Sequence, residues 1–180
     1  MSDAVEGATL RAMLKNQYHA GLAMVKEAID LCPEDLWLRP QQRNAFWQVA
    51  YHTIFFTHFY LHKEHTAYRP WEGHQADTQN PDGIPGPPDP ASTLPLVPRP
   101  YTRAQALAYW EVCNAFVDPA VEALDLHDQQ CGFPWYRMSK LEHQLVNLRH
   151  LQHHAAQLAD RLRLALDVGV RWVGGSRKAP

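Results

Sequence analysis

Apolar residues recur along the chain at the spacing of α-helices, about 3.6 residues per turn, and no segment alternates as a half-buried strand would. Four segments follow this period: residues 9–31, 44–67, 102–126 and 140–167. Because four amphipathic helices bury their apolar faces by packing side by side, the pattern predicts an all-α four-helix bundle. A length of 180 residues, of which 46% are hydrophobic, fits a single domain covering residues 1–180.

Local signals predict where these helices begin and end. Pro33 stops the first helix, since proline cannot continue a helical turn. Thr102-Arg-Ala-Gln105 and Ser139-Lys-Leu-Glu142 are capping-box patterns, and they predict the starts of the third and fourth helices. The third helix is expected to end or kink around Asp118-Pro119, with a continuation to Leu126 as the alternative.

The second helix is apolar nearly all round. Val49 and Phe55 share the face of His52, whereas Trp47 and Ile54 occupy the opposite face. A helix with two apolar faces needs burial on both, and a single bundle covers one most easily. We therefore expect a homodimer in which the second helix meets a partner subunit.

Residues 68–101 differ in composition from the rest of the chain. Nine of the fourteen prolines lie here, and the hydrophobic period is lost. Long irregular connections inside compact domains are usually functional lids or crossovers. The segment is long enough to run back along a helix, and it therefore permits the second and third helices to be parallel. Residues 173–180 are expected to form a frayed tail.

Charge and cysteine usage exclude several classes of function. The net charge is −2, and the basic residues are scattered, so the sequence predicts no binding of nucleic acid. Three widely spaced cysteines indicate free thiols in a reducing compartment.

The N-terminus has no secretory signal pattern, and the most apolar run, 45–61, is too short and too polar to span a membrane. We expect a cytoplasmic protein that does not bind membranes.

The candidate chemistry lies in three of the eleven histidines. His150 and His154 stand four residues apart, which brings two imidazoles onto one helical face. His52 lies among phenylalanines on the second helix, where a buried imidazole needs a polar partner. A hydrogen bond to a backbone carbonyl would satisfy His52 alone. Together, however, the three residues are what a three-histidine metal site in a bundle requires, and we favour that interpretation.

Other polar residues have more than one interpretation. His58, His62 and His65 also share a helical face and could bind a metal, although a solvated helix end explains them more simply. His153 points away from its neighbours. Gln17, on the apolar face of the first helix, is either a hydrogen-bonded core residue or part of a pocket. Glu111 on the third helix either forms a salt bridge at the edge of the core or orients a ligand imidazole.

Two motifs resemble the DinB-like proteins, a family of metal-binding helical bundles. One is Asn147-Leu-Arg-His150-Leu-Gln-His-His154-Ala-Ala-Gln157, within the last helix, and the other is Phe46-Trp-Gln-Val-Ala-Tyr-His52. The resemblance implies an up-down-down-up bundle with the crossover between helices 2 and 3. It also implies that His52, His150 and His154 are the metal ligands. Asn147 and Gln157 become candidates for groups beside the metal.

The resemblance also suggests a class of chemistry. Relatives bind nickel, zinc or other divalent ions, and several are transferases or isomerases that use a low-molecular-weight thiol such as bacillithiol, mycothiol or glutathione. We therefore expect a metal-dependent enzyme acting on a small molecule, either like a thiol S-transferase or like a hydrolase. The alternative is a non-catalytic binding or stress-response protein whose metal is structural or absent. The long proline-rich segment sets this chain apart from those relatives.

Overall fold

A computed structural model describes residues 2–41, 44–80 and 99–175, and these residues are predominantly helical. The helices are α1 (Ser2–Leu31), α2 (Glu34–Leu38), α3 (Phe46–Tyr60), α4 (Arg103–Ala123) and α5 (Lys140–Leu166). A short 3₁₀ turn covers His65–Ala67, and two strands of two residues, β1 (Pro40–Gln41) and β2 (Asn44–Ala45), pair antiparallel. The four long helices correspond to the four predicted segments, while α2 and the small strand pair carry no signal in the hydrophobic pattern.

The predicted capping residues start both helices of the second half. The Thr102 hydroxyl accepts a hydrogen bond from the Gln105 amide, and the Gln105 side chain accepts one from the Thr102 amide at 2.9 Å. At the start of α5 the Ser139 hydroxyl accepts from the Glu142 amide at 3.2 Å. Pro119 does not end α4, which continues for one more turn.

The second long helix, α3, ends at Tyr60, well before the predicted end at residue 67. Two contacts, one with the first residue of α5 and one with the loop before it, explain the early end. The Lys140 ammonium donates to the Lys63 carbonyl, and the His65 amide donates to the Gly132 carbonyl at 3.1 Å. Backbone groups engaged by another segment are not available to extend the helix.

Helix α3 is buried on both faces within one chain. It packs against α4 and α5, with α2 beside it, and α1 in turn packs against α4 and α5. Trp47 and Ile54 on one face are as buried as Phe55 and Phe56 on the other. The premise of the homodimer, that one chain leaves a face of this helix uncovered, is therefore wrong, and the dimer itself stays a prediction.

The chain after α5 turns back along α1. The Arg171 guanidinium forms an ion pair with Glu27 at 2.8 Å, and the Gln17 side-chain amide donates to the Gly174 carbonyl at 3.2 Å. Val173 and Gly174 thus contact the bundle, and the frayed tail stays a prediction. Residues 176–180, and residues 81–98 of the predicted crossover, lie outside the described residues.

Two predictions about the chemistry of the chain can be compared with the structure directly. The cysteines are free and buried: Cys32, Cys113 and Cys131. Burial raises the pKa of the Cys32 thiol to about 12 and that of Cys113 further, so both stay protonated and unreactive near neutral pH. No helix within the described ranges is long and apolar enough to cross a membrane.

Candidate metal centre

The imidazoles of His52, His150 and His154 converge between α3 and α5. The His52 Nε2 lies 3.0 Å from the His150 Nε2, which in turn lies 3.1 Å from the His154 Nε2. Among the described residues this is the one group of three or more histidine, cysteine or acidic side chains placed to hold a metal ion. All three residues are half-buried, so the group lies at the edge of the core.

On one side of this cluster two side-chain amides join α5 to α3, and on the other side a guanidinium joins α5 to β2, directly before α3. The Gln144 amide donates to the Tyr60 carbonyl at 3.1 Å, the Asn147 amide to the Thr57 carbonyl at 3.2 Å, and the Arg161 guanidinium to the Asn44 carbonyl at 2.9 Å. These bonds hold α5 in place before and after the histidines. The helical face that His150 and His154 share therefore lies opposite His52.

Two of the three rings have their outer nitrogen fixed by an oxygen atom. The His52 Nδ1 lies 2.6 Å from the main-chain carbonyl oxygen of Gln79, and the His154 Nδ1 lies 2.8 Å from the Gln157 Oε1. Since these oxygens only accept, both Nδ1 atoms must carry the proton. The Nε2 lone pairs of His52 and His154 therefore point into the cluster, as metal-ligating histidines require.

The cluster disfavours protonation of its central ring. Burial, together with the neighbouring His52 and His154, lowers the pKa of His150 to about 2. Its Nδ1 is buried and has no hydrogen-bond partner within the described part of the chain. At neutral pH His150 is thus an uncharged imidazole, the form that binds metals.

The spacing of the Nε2 atoms in this cluster suits a metal cation. A tetrahedral ion with nitrogen ligands at 2.0–2.1 Å separates neighbouring nitrogens by about 3.3 Å. The observed separations of 3.0 and 3.1 Å are close to that value. The residues therefore fit a divalent metal.

The other predicted site residues lie in different places. Gln157 is beside the cluster, where it bridges His154 and His153, whose Nε2 lies 3.1 Å from the Gln157 Nε2. Asn147 is fully buried and holds α5 against α3 one turn before His150. Gln157 therefore contacts one of the three rings directly, whereas Asn147 acts on the packing of the helix that carries two of them.

Two of the predicted pocket residues do not lie in the core. Gln17 is exposed, and its side chain bonds the Gly174 carbonyl, which corrects its assignment to the apolar face. Glu111 is exposed as well, as are Ala108 and Ala115 beside it, so this face of α4 meets solvent. Alanine is compatible with both environments, so an alanine-rich face does not by itself predict the core edge.

Gln79 is the residue beside the cluster that the sequence did not reveal. It lies in an irregular segment, and its contribution to His52 is a main-chain carbonyl, which every residue type possesses. Neither hydrophobic period nor side-chain chemistry could identify it.

The histidines near the end of α3 are packed and do not form a solvated helix end. His58 is buried, and its Nδ1 pairs with the Tyr109 hydroxyl at 3.1 Å. The His62 Nδ1 donates to the His58 carbonyl, and the His65 Nδ1 to the Gly132 carbonyl. Each ring thus faces its own protein partner, and the three do not converge on one point.

Comparison with known proteins supports the assignment that the two histidine motifs suggest. A family model described as the DinB superfamily matches residues 17–158, a stretch that contains all three histidines of the cluster. No curated protein and no solved structure matches the chain. With most of its length covered by that family model, the chain belongs to the DinB superfamily.

Proposed function

We propose that this protein is a divalent-metal-dependent enzyme whose metal is held by His52, His150 and His154. One observation carries the proposal. The His150 Nε2 lies 3.0 Å from that of His52 and 3.1 Å from that of His154, and oxygens on the far side of the His52 and His154 rings aim their lone pairs inward. Such pre-orientation is typical of metal ligands.

The donor set and the family favour nickel or zinc. Neutral imidazoles suit both ions, and a site with three protein ligands leaves a position for a further molecule. An ion bound there would act as a Lewis acid and lower the pKa of a coordinated water or thiol. We propose a small-molecule substrate and either transfer to a low-molecular-weight thiol or hydrolysis.

The residues around the cluster have definite tasks under this proposal. Gln79 and Gln157 hold the proton on the outer nitrogens of His52 and His154. Phe56 packs its ring against His52 and His150, at centroid distances of 4.8 and 5.5 Å, and removes water from that side. A low-dielectric wall strengthens the attraction between a cation and its ligands.

We also propose the up-down-down-up course of the four long helices. The order of cross-helix contacts supports it, because rising residue numbers on α3 meet falling numbers on α5, from His52 with His150 to Tyr60 with Gln144. On α1 and α5 both rise together, since Tyr18 bonds Gln144 and Gly21 contacts Leu151. The crossover this course requires falls in the connection between α3 and α4.

The decisive test is metal analysis of protein purified without chelator. We expect about one nickel or zinc ion per chain, as for a single three-histidine site. His150→Ala and His154→Ala should each lose the ion. His153→Ala is the matched control, because it removes a neighbouring exposed imidazole from the same helix.

The outcomes separate the alternatives. Retention of the ion in both His150→Ala and His154→Ala would overturn the three-histidine site, and retention that depends on His58 and His62 would move it to the end of α3. A bound ion whose coordination sphere, read by X-ray absorption, contains protein ligands alone would favour the non-catalytic alternative.

A further inference from the structure

The start of the connection between α3 and α4 is built into the wall of the histidine cluster. Two consecutive residues of α3 hold it: the Tyr51 hydroxyl hydrogen-bonds the His74 Nδ1 at 2.5 Å, and the His52 Nδ1 donates to the Gln79 carbonyl at 2.6 Å. Between these contacts Thr78 is buried, and so is the Gln79 side chain. Residues 74–79 are thus packed against α3 and do not project from it.

A buried tyrosine at the other end of the connection fixes this segment. The Tyr101 hydroxyl donates to the Gly73 carbonyl at 2.9 Å and accepts from the Gln75 amide at 2.7 Å. The Gln75 side chain also pairs with the main chain of Arg99, donating at 3.1 Å and accepting at 3.0 Å. These bonds join the beginning and the end of the connection at its base, and we call them the Tyr101 clip.

Only a short turn separates the Tyr101 clip from the partner of His52. The Gln75 carbonyl accepts from the Thr78 amide at 3.3 Å, and Gln79 follows directly. Asp77 has a φ of 60°, which reverses the chain within this turn and which aspartate adopts more readily than most residues. The position of the Gln79 carbonyl therefore depends on where the clip holds Gln75.

We infer that Tyr101 is a positioning residue for the metal centre, acting through Gln75, the turn and the Gln79 carbonyl on the ring of His52. The inference rests on the proposed function, because the ring that is positioned is a proposed ligand. Binding linkage makes the effect reciprocal: if the clip raises metal affinity, metal binding stabilises the clip by the same factor.

The test compares three variants by zinc affinity, measured by competition with a chromogenic chelator. Tyr101→Phe keeps the ring and removes the hydroxyl, and we expect affinity to fall about tenfold, as for partners that orient ligand histidines. Gln75→Ala, at a half-buried position that folding tolerates better, should lower it in the same direction. Tyr109→Phe removes an equally buried hydroxyl that bonds His58 and should leave affinity unchanged within about twofold.

A second readout uses protein without metal. In the wild type the ring ¹⁵N shifts of His52 should report one tautomer, protonated on Nδ1, whereas Tyr101→Phe should give a mixture. This arm tests the positioning even if the wild type binds no zinc, a result that would overturn the proposed function alone. Wild-type zinc affinity together with a single His52 tautomer in both Tyr101→Phe and Gln75→Ala would overturn the inference.

Discussion

Two histidine pairs with the same spacing differ in what surrounds them. His150 and His154 on α5 turn their Nε2 atoms toward each other and toward His52. The outer nitrogen of His154 is hydrogen-bonded to Gln157. At the end of α3 and just after it, His58 and His62 also stand four residues apart, with ring centroids 5.1 Å apart. There, however, each Nδ1 is engaged by a separate oxygen, from a tyrosine or a backbone carbonyl.

The difference shows that spacing along a helix does not by itself place two imidazoles to share a metal. Burial lowers the pKa of His58 to about 3, much as it lowers that of His150, so both are neutral imidazoles. What differs is the third ring: His52 faces the α5 pair from another helix, whereas Phe116 and Tyr68 face His58 and His62. The inward lone pair of a third imidazole is what marks the α5 pair as candidate ligands.

The sharpest way to test this comparison is to remove one histidine from each group. His58→Ala should lower the free energy of unfolding by about 2–4 kcal/mol, because it leaves a cavity among aromatic rings and the Tyr109 hydroxyl without its partner. It should not change metal content. His154→Ala should do the reverse, losing the metal while the metal-free protein unfolds at nearly the wild-type denaturant concentration.

Urea unfolding of the metal-free variants, with metal analysis of the same preparations, measures both quantities. Loss of metal from His58→Ala, or equal destabilisation by the two substitutions, would show that the two groups are not functionally distinct.

The buried neutral histidines predict a loss of stability in acid. The folded-state pKa values of His58, His143 and His150 are about 3, 4 and 2, against about 6.5 when unfolded. Below pH about 6.5 the unfolded chain binds protons that the folded protein does not, so stability falls as pH falls toward the folded pKa. Each residue contributes about 1.4 kcal/mol per pH unit in that range.

His143→Phe tests one of these contributions. The His143 ring stacks on Phe133 at 4.6 Å, so phenylalanine preserves the aromatic contact and removes the titration. The dependence of unfolding free energy on pH, measured on metal-free protein between about pH 7 and about pH 5, should flatten by one proton. An unchanged slope would mean that His143 is protonated in the folded protein.

The smallest expected effect distinguishes two exposed glutamines. Gln157→Ala frees the outer nitrogen of His154 and should weaken zinc binding about tenfold, with a change in unfolding free energy within about 0.5 kcal/mol. Gln17→Ala is the matched control, since its side chain is also exposed and bonds a carbonyl of the C-terminal segment. Equal zinc affinities of the two variants, measured by chelator competition, would remove Gln157 from the centre.

Much of the helical fold was predictable because its signals are local. The capping residues Thr102 and Ser139 act on amides three residues away, and the apolar stripe of α5 follows from 3.6 residues per turn. The end of α3 was not predictable, because Lys140 and Gly132 engage the backbone beyond Tyr60 from a distant part of the chain. The same holds for Gln79, whose main-chain carbonyl carries no residue-specific signal.

The order of the residues is enough to say which side chains share a helical face, and therefore that His150 and His154 lie together and that His52 stands in an apolar helix. Which faces meet depends on the packing of the whole chain: it brings His52 to the α5 pair, turns His58 and His62 toward aromatic partners, and leaves Gln17 and Glu111 in solvent. A helical face follows from backbone geometry within a few residues, whereas its neighbours are selected by contacts between segments far apart in the chain.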